Sequence, residues 1–196
     1  CIHLSSKFSE TVRSATVAAQ NYPDADIRIM DTQTVAGTLA TLILLAAQWA
    51  EDGLSAEINL DGLTDMIAQQ RICFLVDTLE YLQKGGRIGG ARALLGKMLN
   101  IKPILAMRDG QDEPFEQTRT KRRAITRLAG IVQEQAEKEG DPHVCVMHAD
   151  ALDDAENLAA ELKSNLNIEK IPFYELPPAI VVHVGPGALA VGFFTN

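Results

Sequence analysis

Thiols are scarce in this sequence: Cys1, Cys73 and Cys145 are the only cysteines in 196 residues. They are scattered and odd in number, which argues against a disulfide framework and for a reducing cytosol. The opening residues do not read as a basic-then-apolar leader. Long apolar runs are missing too. The longest, Val35 to Ala50, carries Thr38, Thr41 and Gln48, so no stable membrane insertion is expected. Positive charge is in deficit, with 18 Lys and Arg against 26 Asp and Glu and a formal net charge of −8. A globally acidic surface repels phosphate backbones, so nucleic acid is not expected as the main partner.

Several catalytic fingerprints are also absent. There is no Gly-x-Gly-x-x-Gly and no Gly-Lys-Ser/Thr ending, which argues against the common nucleotide cradles. No Gly-x-Ser-x-Gly elbow presents a nucleophilic serine. His143-x-Cys145-x-x-His148 has the residue types of a metal site. On a strand, however, His143 and Cys145 share a face that His148 does not, and no second ligand pair stands at zinc-site spacing. Neither a metal nor a cofactor is expected. No internal repeat or low-complexity tract is visible.

What is present is a chain with 46% hydrophobic and 22% charged residues. That is enough apolar material for one large core or two small ones, with no composition of disorder. Ile2 to Leu4 reads as a strand, Ser9 as the N-cap of a helix to about Gln20, and Ile27 to Met30 as a second strand. Helices are expected over about Thr34 to Glu51 and Ser55 to Gln70. Strand-helix order of this kind implies a parallel sheet. From Arg71 the pattern changes. Strands are expected over Ile72–Val76, Ile104–Met107, Phe115–Thr120, His143–His148, Ile168–Glu175 and Leu189–Phe194. The helices of this part are expected over Thr78–Lys84, Ala91–Leu99, Lys121–Glu139 and Asp153–Ser164. Hairpins among those strands make this second sheet mixed.

Five stretches carry candidate chemistry. In Leu4-Ser5-Ser6-Lys7-Phe8-Ser9, hydroxyls lie between a strand end and a helix start, where free N–H groups favour an anion; the serines also suit plain capping and turning. The helix from Thr34 to Glu51 is apolar almost all round, as a tunnel wall or a filled core would require. In Asp77 to Gly90, Gly85-Gly86 reads as a helix C-cap, leaving Arg87 on an exposed corner where it supports little packing. His183 lies beside a rigid Gly185-Pro186-Gly187 turn, where it suits a carboxylate or an ordinary core position. The basic run Arg119, Lys121, Arg122, Arg123, Arg127 is a docking patch or a solvated helix face, the second being preferred for Arg122 and Arg127.

The order of these motifs resembles the DegV family. The resemblance rests on Ser5-Ser6-x-x-Ser9, Asp31-Thr32, Asp77-x-Leu79-x-Tyr81-Leu82-x-x-Gly85-Gly86-Arg87-Ile88, Lys102-Pro103-Ile104-Leu105, Arg119 and His183-x-Gly185-Pro186-Gly187-Ala188. It covers essentially the whole chain and implies an α/β protein of two domains. Residues 1–69 would be part of a three-layer domain with a parallel sheet, and residues 70–196 a two-layer domain with a mixed six-stranded sheet. It also implies a bacterial, cytoplasmic, non-enzymatic lipid carrier. A long-chain fatty acid would lie between the domains, its carboxylate held by Ser5 or Ser6 and His183. A separate fatty acid kinase catalytic subunit would phosphorylate that carboxylate, with Arg87 and Arg119 in docking or positioning. The chain opens at Cys1-Ile2-His3-Leu4 as if inside a strand, and the family carries an upstream segment with a further Thr/Ser motif. The native protein is therefore expected to continue upstream. Glu10 and Phe8 depart from the Gly and Leu usual in the family. Two other readings are a Ser/His hydrolase using Ser6, His183 and Asp31, and a nucleotide enzyme using the glycines near Arg87.

Overall fold

The computed structural model describes residues 1–96, 101–139 and 142–195. Strands β1 (Ile2–His3) and β2 (Met30–Asp31) pair in parallel, Ile2 opposite Met30. Three helices accompany them: α1 (Thr11–Ala19), α2 (Ala36–Glu51) and α3 (Ala56–Gln69). Ser55 caps α3 by accepting the Ile58 N–H at 3.3 Å, satisfying one of the donors that a helix start leaves free. Isolated two-stranded sheets are marginal. This one rests on a core of Leu42, Leu63 and Phe194, with Ile2, Met30 and Trp49 packed against it.

The second sheet has six strands in the order β5-β4-β3-β8-β6-β7. They are β3 (Arg71–Leu75), β4 (Lys102–Arg108), β5 (Gln111–Thr118), β6 (Pro142–His148), β7 (Phe173–Glu175) and β8 (Leu189–Thr195). Only β6 and β7 run parallel; the other neighbours are antiparallel. β4 turns into β5 through Asp109 and Gly110, both with positive φ, 49° and 74°. That is the signature of a two-residue hairpin turn matched to strand twist. β3 sits inside the sheet and is buried on both faces, so Ile72 to Leu75 show no polar alternation.

Each face has its own helices. α5 (Lys121–Glu139) and α6 (Leu152–Leu166) cover the face of Cys73, Leu75, Ile104, Val146 and Val191. α5 presents Ala124, Leu128 and Val132, each fully buried, at four-residue spacing, the apolar stripe of an amphipathic helix. The opposite face, with Ile72, Phe74, Cys145 and Met147, meets α4 (Glu80–Lys84), a 3-10 helix (Gly89–Leu94) and α7 (Pro178–Val184). The start of α2 joins the two sheets: the Gly37 N–H donates to Met147 Sδ at 3.1 Å.

Some expected elements moved. The helix expected over Ala91–Leu99 is a 3-10 turn ending at Leu94, and residues 97–99 lie outside the described residues. Ile27 to Ile29 stay outside β2, and Ile168 to Pro172 outside β7. Ser9 is not the N-cap of α1: Glu10 holds that position without a side-chain bond, and Ser9 Oγ accepts the Thr11 N–H at 3.4 Å. No helix among the described residues is long and apolar enough to cross a membrane.

Candidate ligand-binding site

A cavity of about 380 Å³ lies between the six-stranded sheet and the segments that cross its second face. Its floor is Ile72 and Phe74 of β3, Met107 of β4, Ala190 of β8 and Met147 of β6, with Asp112 at the β5 edge. Leu82, Ile180 and Val184 wall it from α4 and α7, while Leu4, Phe8, Ser9, Thr11, Val35 and Ala36 cover it. The volume falls in the range of ~300–1,000 Å³ common for small-ligand sites, and apolar walls with a few polar groups are the usual composition of such sites. The floor crosses five adjacent strands, which at ~4.8 Å per step is about 19 Å.

The polar groups are few. His183 comes from the last turn of α7, which begins with Pro178 at a position where proline's missing N–H is harmless. Its Nδ1 is buried with no hydrogen-bond partner among the described residues. Burial and the neighbouring Arg87 hold its pKa below the usual value, which favours the neutral ring. Arg87 also lines the cavity. Its Nε and Nη2 donate to the Phe8 carbonyl at 3.2 and 2.9 Å, and its Nη1 to the Gly85 carbonyl at 2.7 Å. The exposed corner expected for Arg87 is thus corrected: the guanidinium is half-buried and ties the covering loop to the end of α4. Ser9 and Thr11 stand at the N-terminus of α1, where free N–H groups and the helix dipole favour an anion.

Ser5 and Ser6 are placed elsewhere. Ser5 is fully buried; its hydroxyl donates to the Gly110 carbonyl at 3.1 Å and accepts the Lys7 N–H at 3.2 Å. Ser6 is exposed, and its backbone N–H donates to Asp31 Oδ1 at 3.2 Å. Neither serine lines the cavity. Ser6 lies beside Asp31, but neither lines the cavity that His183 lines, so the hydrolase alternative is not supported. Arg119 is exposed. Arg127 corrects the solvated-face expectation: it is half-buried and bonds both oxygens of Glu116, at 2.7 and 2.8 Å. Lys121 pairs with Asp154 at 2.8 Å and Asp77 at 3.6 Å. Among the described residues, no His, Cys, Asp and Glu cluster is suited to a metal.

The two glycine motifs meet behind the site. The His183 ring packs on Gly85, and the Tyr81 ring on Gly185. Gly187, at φ +80°, lies so close to the Asp77 carboxylate that any Cβ there would overlap it. The left-handed conformation alone disfavours other residues by roughly 1–2 kcal/mol. Gly187→Ala is therefore expected to lower stability by at least about 2 kcal/mol, with urea denaturation as the measurement. A loss below about 0.5 kcal/mol would show that the turn adapts freely.

Sequence reasoning passed over Asp112. It is 4% exposed, and burial alone pushes its pKa up to about 7. The sequence signal was slight: Asp112 is one of four acidic residues between Asp109 and Glu116 on a hairpin, where carboxylates usually face water. The register Met107 opposite Asp112 turns it inward instead.

Comparison with known proteins fits this architecture. A DegV domain-containing protein of Clostridium acetobutylicum is 37% identical over 200 residues, covering all of this chain and 70% of that protein. The structure of a DegV family protein from Thermus thermophilus, described for its fatty acid binding, superposes with a TM-score of 0.93 at 33% identity, over 99% of this chain and 69% of that one. DegV of Bacillus subtilis, a fatty acid binding protein, superposes at 0.87 with 31% identity, over all of this chain and 70% of that one. Residues 1–196 match the family model described as "Uncharacterised protein, DegV family". This α/β chain, with its small parallel sheet and six-stranded mixed sheet, belongs to the DegV family.

Proposed function

We propose that this protein binds one long-chain fatty acid in the cavity and presents its carboxylate to a partner kinase for acyl-phosphate formation, without catalysis of its own. The observation that carries the reading is the apolar cavity with His183 and the α1 N-terminus at its wall. Relatives at 33% and 31% identity are described as fatty acid binding, which supports the ligand class. In this reading residues 1–69 supply the cover and residues 70–196 the floor. The carboxylate is held by His183, Ser9 and Thr11. Ser9 and Thr11 take the role that the sequence resemblance gives to Ser5 and Ser6, because they line the cavity. A carboxylate beside His183 favours the protonated ring, whose N–H then donates to it. Arg119, exposed on the six-stranded half, is the docking contact for the kinase. The setting is the cytoplasm, which suits free thiols at Cys73 and Cys145.

Mass spectrometry of the denatured, purified protein should find long-chain fatty acid at near one equivalent. Hydrogen bonds to charged groups contribute ~1.5–3 kcal/mol. His183→Ala and Ser9→Ala should each therefore weaken fatty acid binding about tenfold, while Ser6→Ala leaves it within a factor of about two. A strong loss in Ser6→Ala with none in Ser9→Ala would return the anchor to Ser6. With a fatty acid kinase catalytic subunit added, acyl-phosphate should form only on loaded protein, and Arg119→Ala should slow its formation without changing lipid affinity.

A further inference from the structure

Asp112 has no function in the fold that the structure reveals. Among the described residues, no hydrogen bond or ion pair holds its carboxyl, although the side chain is 4% exposed and lines the cavity. Buried carboxyls ordinarily have a partner, and an unpaired one is costly to keep. The other ionisable groups on the cavity wall are Arg87 and His183. Arg87 is committed to the Phe8 and Gly85 carbonyls, so among the described residues no cation is paired with Asp112. The carboxyl comes from β5, the edge strand of the floor, while the floor extends to Met147 on β6 four strands away. A plain acyl chain laid across this floor would cover Asp112 with methylenes and leave its oxygens without any donor.

We propose that Asp112 selects an acyl chain that carries a hydroxyl group, the hydroxyl donating to the Asp112 carboxyl from within the cavity. The proposal rests on the fatty acid reading above and names the ligand more narrowly: a hydroxylated long-chain fatty acid. A site built to hydrogen-bond a hydroxyl discriminates strongly against an analogue that lacks it, because its own polar group is then left unpaired. An all-apolar cavity has no such preference. The hydroxyl must fall at one position along the chain, since a β-strand holds its side chain at a fixed place on the floor.

The test is displacement of a fluorescent fatty acid from the delipidated protein by stearic acid and by a positional series of monohydroxystearic acids. The best-placed isomer is expected to bind about tenfold or more tightly than stearic acid, as one hydrogen bond to a buried carboxyl implies. In Asp112→Leu the preference should vanish or invert, with stearic acid binding at least as tightly as to the unaltered protein. Asp112→Asn, which keeps the shape and a hydrogen-bonding group, should retain part of the preference and serves if the leucine variant fails to fold. If the unaltered protein binds stearic acid but prefers no hydroxylated isomer, or if Asp112→Leu keeps the same preference, the selection is overturned while the fatty acid reading stands. If neither stearic acid nor any isomer displaces the probe, both fall.

Discussion

Arg87→Ala is expected to lower fatty acid affinity about tenfold or more and to destabilise the protein by about 2–4 kcal/mol. The guanidinium makes three hydrogen bonds, two to the Phe8 carbonyl and one to the Gly85 carbonyl. A charged donor contributes ~1.5–3 kcal/mol per bond, and the bonds through Nε and Nη2 form a fork that alanine removes completely. Phe8, Ser9 and Thr11 would then lose their tie to the corner after α4, and with it their fixed place over the cavity. Arg87→Lys keeps the charge but not the fork, so it should recover only part of the loss. Calorimetric lipid binding and urea denaturation of the three proteins are the measurements. An exposed arginine used only for docking would leave both unchanged, and that result would put Arg87 back among the surface contacts.

Replacing Asp112 by asparagine should make the protein more stable above neutral pH and nearly remove one component of its pH dependence. The carboxyl has its pKa raised from 3.8 to about 7 by burial. Between those values the folded protein retains a proton that the unfolded chain has released, so stability falls as pH rises through this window. The penalty is complete above about pH 7 and absent below about pH 4. At ~1.4 kcal/mol per pKa unit it reaches on the order of 4 kcal/mol. For a chain of this size each kcal/mol corresponds to roughly 2–4 °C in Tm. Thermal melts at pH 5 and pH 8 should show Asp112→Asn gaining several degrees more at pH 8. Equal shifts at both pH values would mean that Asp112 is hydrated or paired in solution.

The elements legible in the sequence were those whose signal is local. α5 shows its buried stripe at four-residue spacing, and the β4–β5 turn is written in Asp109-Gly110. The motif pair around Gly85 and Gly187 marked a real meeting place, because the Asp77, Tyr81 and His183 side chains pack directly on Gly187, Gly185 and Gly85. Signals that depend on distant partners were not legible. Arg87 looks exposed in sequence because the Phe8 carbonyl, 79 positions earlier, is invisible there. Ser5 and Ser9 are equivalent as residue types, and only the Gly110 carbonyl across the fold separates a buried structural hydroxyl from one on the cavity wall. Asp112 turns inward through hairpin register, which composition does not encode.

Strand order has a consequence for how the chain is made. β8 lies between β3 and β6, which makes it the strand that pairs β3-β4-β5 with β6-β7, yet it comes after all of them in the sequence. During synthesis the ribosome releases β3 to β5 and then β6 and β7 as two separate ribbons, each with an unpaired inner edge. The two ribbons cannot hydrogen-bond into one sheet until residues 189–195 emerge. Pairing of Ile72 with Gly192 spans 120 positions, and contacts so distant in sequence form slowly. Meanwhile the inner edges of β3 and β6 are open to pairing with another nascent chain. The last step that joins the halves also puts Ala190 into the cavity floor, so a chain interrupted before β8 lacks part of that floor.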